Sequence, residues 1–411
     1  MSKQILPSKH DPYASLRFKE FRFFISAKML LTLALQMQAV IVSWLVYEKT
    51  HDPFSLGIIG LAEAIPAISL SLYGGHIADR ISRKSILIYT TVLMLLGSVF
   101  LVFYVYDYLG SSVWLAYSVI FVIGVARGFH YPAQSAFWAQ LVPKDNYVNS
   151  STWNSTVWQL GAVAGPALGG LCYAWFGAGI SSIIVCVFIL LGITYFALIG
   201  HKPIAEYNQK ESLKDSLLSG IRYVFKSNIF IAAISLDLFA VLFGGAVALL
   251  PVFADKILHV GPQGLGFLRA APAVGAVIMA MLMAYYPPRK NAGLKLLWCV
   301  AGFGLCMIAF ALSQDFYLSF FILFLSGAFD NVSVVIRSTI LQSYTPDEMR
   351  GRVASVNNIF VGSSNEIGAF ESGTAAKLLG LVPSVIFGGA ITLLVVAVTY
   401  KLSPSLRKLQ L

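Results

Sequence analysis

The sequence predicts an all-α membrane protein of about twelve transmembrane helices, arranged as two six-helix bundles. Three observations predict it. Of 411 residues, 57% are hydrophobic and only 12% charged, whereas soluble domains carry about 25% charge. The apolar residues fall in runs near the length of about 20 residues that crosses a bilayer. The basic residues fall almost wholly in alternate connections between those runs. A soluble core cannot absorb so much apolar surface, so lipid is the solvent for most of the chain.

The runs lie near 23–47, 54–74, 85–106, 112–136, 147–174, 179–200, 229–254, 262–286, 292–313, 316–340, 352–376 and 383–402. Turn residues separate them, as at His51-Asp52-Pro53, Gly110-Ser111-Ser112 and Leu381-Val382-Pro383. This gives an N-terminal segment over 1–22, a first bundle over 23–200, a linker over 201–228, a second bundle over 229–402 and a tail over 403–411. Residues 1–22 are polar and basic with no short apolar core, so no secretory signal is expected. The net charge of +10 sits in the loops, which argues against nucleic acid and for membrane orientation. Only Lys49, Lys256 and Lys377 fall on one side; the other side holds most of the Lys and Arg. Both termini are therefore expected in the cytoplasm of a bacterial-type inner membrane.

Within the linker, Leu213, Leu217, Leu218, Ile221 and Val224 make a helical stripe opposite a basic face. Two readings stay open: an amphipathic helix on the inner leaflet, or a solvated linker helix. The four cysteines lie inside apolar runs without metal-ligand spacing and read as core residues.

The halves repeat. A shift of 203 residues lays Pro143 on Pro346, Asn154 on Asn357, Gly165 on Gly368 and Gly170 on Gly373. A shift of 209 lays Pro53 and Gly57 on Pro262 and Gly266. Two parallel six-helix repeats are a transporter plan.

The loop after the second run reads Gly75-His-Ile-Ala-Asp79-Arg80-Ile-Ser-Arg83-Lys84-Ser-Ile-Leu87. It resembles the signature of the major facilitator superfamily, with Ser82 where the family has Gly. The resemblance implies a conformational switch at Gly75, Asp79, Arg80, Arg83 and Lys84. A carboxylate there can meet the positive end of a neighbouring helix and bias a two-state equilibrium. In the fifth run, Gly161, Gly165, Pro166, Gly169 and Gly170 resemble the element of proton-coupled antiporters in that superfamily. Glycines let helices approach closely; a partner is expected in the small-residue run 270–276 of the eighth span. The stretch from Thr345 to Arg352, with Asn357 and Glu366 beyond it, is similar to the drug and siderophore exporter branch, which includes macrolide efflux pumps and the enterobactin exporter. The family's fourth-span signature has Arg followed four residues later by Gly. Here Arg127 is followed by Tyr131, so its proton-relay role does not carry over.

Ionisable residues at membrane depth are costly and point to function. Glu63, Asp237, Asp330 and Glu366 are the candidates for proton coupling, because a carboxylate in a dry cavity can take a proton near neutral pH. Candidates for a substrate cavity are Gln36, Trp44, Arg127, His130, Tyr131, Trp158, Gln159, Arg269, Asn331, Asn357 and Asn358. Amides and aromatic faces suit an amphipathic organic molecule better than a bare ion. Each residue also has a structural reading, such as a helix-bridging Glu63 or an Arg127 paired to a carboxylate.

No phosphate loop, His-Glu-x-x-His, Gly-x-Ser-x-Gly or Cys-x-x-Cys occurs. Neither an enzyme nor a cofactor or metal site is expected. The resemblance implies a secondary transporter using alternating access, with a small-molecule substrate and protons as partners, lipid around it, and a monomer as the working unit. Proton-coupled export of a drug, siderophore or related metabolite leads. Import or facilitated passage on the same fold, and a transport-dead sensor, stay open.

Overall fold

The computed structural model describes residues 11–108, 110, 112–202, 213–286, 291–346 and 349–410. Some side chains within its helices fall outside the described residues, including those of Asp79, Asn358 and Glu366. The first half comprises α1 (Lys19–Thr50), α2 (Pro53–Arg80), α3 (Arg83–Val105), α4 (Val113–Phe137) and α5 (Tyr147–Ala197). The linker helix α6 (Leu213–Lys226) follows. The second half comprises α7 (Asn228–Gly244), α8 (Leu250–Lys256), α9 (Gly261–Tyr285), α10 (Ala292–Leu312), α11 (Phe316–Ser343), α12 (Arg350–Leu379), α13 (Leu381–Leu402) and the short α14 (Pro404–Arg407). The described residues contain no strand.

Ten described segments are long and apolar enough to cross a bilayer, against the twelve expected. The difference has two causes. Helix α5 covers two expected spans in one run of 51 residues, yet Gly177 breaks it with φ +73°. Helix α12 has 30 residues, ample at about 1.5 Å each, but Asn, Ser and Glu dilute its apolar content. Gly380, with φ +93°, separates α12 from α13. The 203-residue shift relates Gly177 to Gly380. Each marks the place where the chain turns back, in a backbone region open to glycine without a steric penalty.

Asp52 starts α2: its Oδ1 accepts from Phe54 N at 3.0 Å, with Pro53 in the first turn. Its Oδ2 pairs with Lys377 of α12 at 3.2 Å, half-exposed. The exposed pair contributes little; the cap contributes more. Asp52→Ala is expected to lower stability by about 1 kcal/mol, and Asp52→Asn by much less. Thermal unfolding of the purified variants checks this, and equal losses would contradict the cap as the main contribution.

In the first half α1 packs on α5, α2 on α4, and α3 on α4 and α5. In the second, α9 packs on α11, α10 on α11 and α13, and α7 on α12 and α13. The halves meet through α5 on α9 and α2 on α12. Both contacts are made by the glycines that the repeats single out. A Cβ on Gly170 would lie 2.5 Å from Pro262 O and 2.8 Å from Gly266 Cα. A Cβ on Gly373 would lie 2.9 Å from Gly57 N and 3.1 Å from Pro53 O. The sequence repeat is thus an internal pseudo-symmetry of the interface between the halves.

Helix α6 forms at the expected stripe and packs on α7 and α12. Val224 is buried in a cluster with Phe230 and Leu296, and Tyr223 donates to Tyr344 O at 3.0 Å. The side chains of Leu213, Leu217 and Leu218 lie outside the described residues. At least its C-terminal turn therefore docks on the second half.

Candidate substrate pathway and intramembrane charges

The two halves join at the face away from the chain termini. Tyr47 donates to Asp255 at 3.3 Å, Lys377 pairs with Asp52 and sits over the Phe54 ring, and Phe54 meets Phe370. One layer deeper, Arg269 of α9 donates to Ala39 O at 3.0 Å and Ser43 Oγ at 3.3 Å of α1. Trp44 is buried beside Leu249, Phe253 and Leu268. Arg269 and Trp44 therefore hold the halves together at this layer.

Toward the termini the first half carries an open pocket. Gln36, Arg127, His130, Tyr131 and Trp158 line it, with Thr32 and Gln134. Tyr131 and Trp158 are about half exposed, at 50% and 54%. Five of the expected cavity residues are thus gathered in one place. Trp44, Gln159, Arg269, Asn331 and Asn357 do not line this pocket. The Asn331 Oδ1 is buried and has no hydrogen-bond partner among the described residues. His130 is buried, held by Thr90 at 2.9 Å and Gln134 at 3.3 Å.

Arg127 pairs with Glu63 across α4 and α2. The helices can approach there because Gly124 and Gly128 of α4 leave no room for a Cβ against Glu63 O and Leu70. Arg127 also sits 5.8 Å from the Tyr131 ring centroid.

The second half contains a small pocket lined by Asp237, Asp330, Val300, Phe303 and Ser333. Asp237 pairs with Arg337, and both are buried. Asp330 makes no ion pair among the described residues. The pocket therefore holds one paired and one unpaired carboxylate among the described residues. Under the 203-residue shift Arg127 falls on Asp330 and Gly124 on Gly327. Equivalent positions of the two halves carry opposite charge.

Two cations of the loop motif are anchored on backbone carbonyls. Arg83 donates to Ala78 O and Ala136 O, each at 3.2 Å. Lys84 donates to Ala197 O at 2.9 Å and also to Ile199 O. These cations sit on the carbonyl ends of α4 and α5, where positive charge is favoured. Arg80 is exposed, and a Cβ on Gly75 would touch nothing. The Asp79 side chain lies outside the described residues.

The glycine element of α5 mostly faces α1. A Cβ on Gly161, Gly165 or Gly169 would meet Thr32, Gln36 or Met37 within 2.5–2.9 Å. Only Gly170 reaches α9, at Pro262 and Gly266, and Pro166 O lies against Gly266. The expected partner run 270–276 is not what these glycines touch: the element binds α1 inside its own half and meets α9 one to two turns earlier.

The family described as transmembrane secretion effector matches residues 10–410. The chain belongs to this family, a branch of the major facilitator superfamily. An enterobactin exporter, EntS, of Escherichia coli O1:K1 is 27% identical over 345 residues, 81% of this chain and 79% of its own length. The MFS-type transporter YfmI of Bacillus subtilis is 26% identical over 288 residues, 66% of this chain and 70% of its own length. A solved POT family transporter in complex with 5-aminolevulinic acid shares the fold at TM-score 0.77, with 14% identity and coverage of 94% and 96%.

In this major facilitator transporter one buried charge escapes sequence reasoning. Lys28 of α1 is only 8% exposed. It donates to Asn154 Oδ1 at 2.5 Å and Asn154 O at 3.1 Å. It falls inside the first apolar run, five residues from its start, where it reads as a loop-proximal lysine. The signal that could have found it is spacing: Lys28, Thr32 and Gln36 share one helical face.

Proposed function

We propose that this transporter exports an organic small molecule in exchange for protons, by alternating access. The observation that carries the reading is the pairing of a closure between the halves at one face with an open pocket of the first half toward the other. With the termini cytoplasmic, as the basic loops argue, the closed face is the outer one and the pocket opens to the cytoplasm. Gln36, Arg127, Tyr131 and Trp158 receive the substrate from inside. The outer contacts at Gly170–Gly266 and Gly57–Gly373 then open while the inner ends close. Similarity to an enterobactin exporter supports the outward direction.

The proton site is Asp330. Of the candidates whose side chains are described, Glu63 is neutralised by Arg127 and Asp237 by Arg337, and Asp330 is the one without an ion pair among the described residues. Proton binding removes its charge and so favours states in which it is most desolvated.

Untargeted mass spectrometry of cells and medium tests the reading, with the intact protein, an Asp79→Asn variant and no protein. A compound depleted in cells and enriched outside, only with the intact protein, is the expected result. Asp79→Asn is expected to slow that flux at unchanged protein level. Movement of a compound into cells would reverse the direction, and no redistribution of any compound would refute transport of a cellular metabolite.

A further inference from the structure

We propose that the pocket of the first half is an anion site, and that its substrate is an organic anion bearing an aromatic ring. The inference rests on the transport reading and names the substrate class of that same pocket. Two cations serve it and only one carboxylate opposes them. Arg127 is matched by Glu63. Lys28 donates to a neutral amide oxygen and a backbone carbonyl, and has no carboxylate partner among the described residues. An ammonium so far from water is costly unless a charge partner completes it.

The location points to the substrate as that partner. Lys28 and Asn154 make one layer between α1 and α5. Thr32 and Trp158, each four residues on, make the next layer and line the pocket. A carboxylate or phenolate in the pocket would sit within reach of both cations. An attached ring would lie against Tyr131 and Trp158, the two half-exposed aromatics of the lining. The second half carries the opposite excess at Asp330, so anion and proton sites occupy different halves.

The test is a charge series on one ring, titrated calorimetrically into the purified full-length protein in lipid nanodiscs. The probes are 2-naphthoate, 2-naphthamide and 2-naphthylmethylammonium. The acid is expected to bind at least about tenfold tighter than the amide, equivalent to 1.4 kcal/mol, and the ammonium weakest. Lys28→Met is expected to bring acid and amide within about threefold of each other. Lys28→Arg should keep the preference, and Trp158→Ala should weaken acid and amide alike. Equal binding of acid and amide, a preference for the ammonium, an unchanged preference in Lys28→Met, or no binding of any probe overturns the proposal. Should Lys28→Met not fold, the series on the intact protein decides alone. Loss of the anion site with compound export still observed in cells separates failure of this inference from failure of the transport reading.

Discussion

Arg337→Met is expected to destabilise the protein by about 3–5 kcal/mol, the usual loss when one member of a buried ion pair is removed. Arg337 and Asp237 are 6% and 5% exposed, so water does not take over the role of the lost partner. Arg337 also donates through Nε to Ser333 O at 3.4 Å, a weak bond by its length. The main loss is therefore electrostatic. It is enlarged because Asp330, a second carboxylate, lines the same pocket as Asp237. Removing it leaves two carboxylates facing one another. Joint replacement, Asp237→Leu with Arg337→Met, should recover most of the stability, since exchanging a whole buried pair for apolar groups is often close to neutral. The cycle of single and double variants isolates the pairwise coupling. It is read by thermal unfolding in detergent. An Arg337→Met protein as stable as the intact one would mean that the pair is solvated or absent in the folded transporter.

The fold was legible from the sequence because its solvent constraint is severe. In lipid every backbone group must be satisfied within a helix, so apolar run length nearly dictates the elements. The two departures have local causes. Gly177 turns the chain without any polar loop to announce it, so the helix runs almost continuously through two spans. Helix α12 is polar because it is packed between α2 and α7 within the protein, and apolar content alone underrates such a segment. The repeat alignment, short as it is, located both close contacts between the halves, because glycine there is demanded by backbone approach and nothing larger fits.

The site was legible in its residue types and less so in its pairings. Sequence depth placed Glu63, Arg127, Asp237 and Asp330 inside the membrane. Which cation serves which carboxylate depends on helix neighbours: α2 beside α4, and α7 within reach of α11. No spacing rule along one chain reports that. Lys28 escaped because a lysine near the end of an apolar run is ordinarily one that snorkels to the surface. Here Asn154 on α5 holds it inward. The glycine element illustrates the same limit from another side. Its small residues demanded a close partner; the expected one was the run 270–276, and packing supplied α1 and an earlier stretch of α9 instead.

Asp330→Asn is expected to abolish proton-driven accumulation while sparing exchange of substrate for substrate. The amide has nearly the shape of a protonated carboxyl group and cannot ionise, so the variant is held in the neutral form. Transport steps that require only the neutral form continue. The step that releases the proton cannot occur. One charge moved across about 100 mV supplies about 2.3 kcal/mol, enough to hold a substrate gradient of about 50-fold. That gradient is what the variant should lose, down to equal concentrations on the two sides of a proteoliposome with an imposed proton gradient. Counterflow, driven by substrate alone, should proceed within a few-fold of the intact rate. Asp237→Asn should behave otherwise. It takes the carboxylate partner from the buried Arg337, so its first effect is on stability and on both assays together. The contrast between neighbours in one pocket is the decisive feature. Gradient-driven flux unchanged in Asp330→Asn would move the proton to another carboxylate, and loss of counterflow as well would make Asp330 a part of the substrate pathway or of the structure.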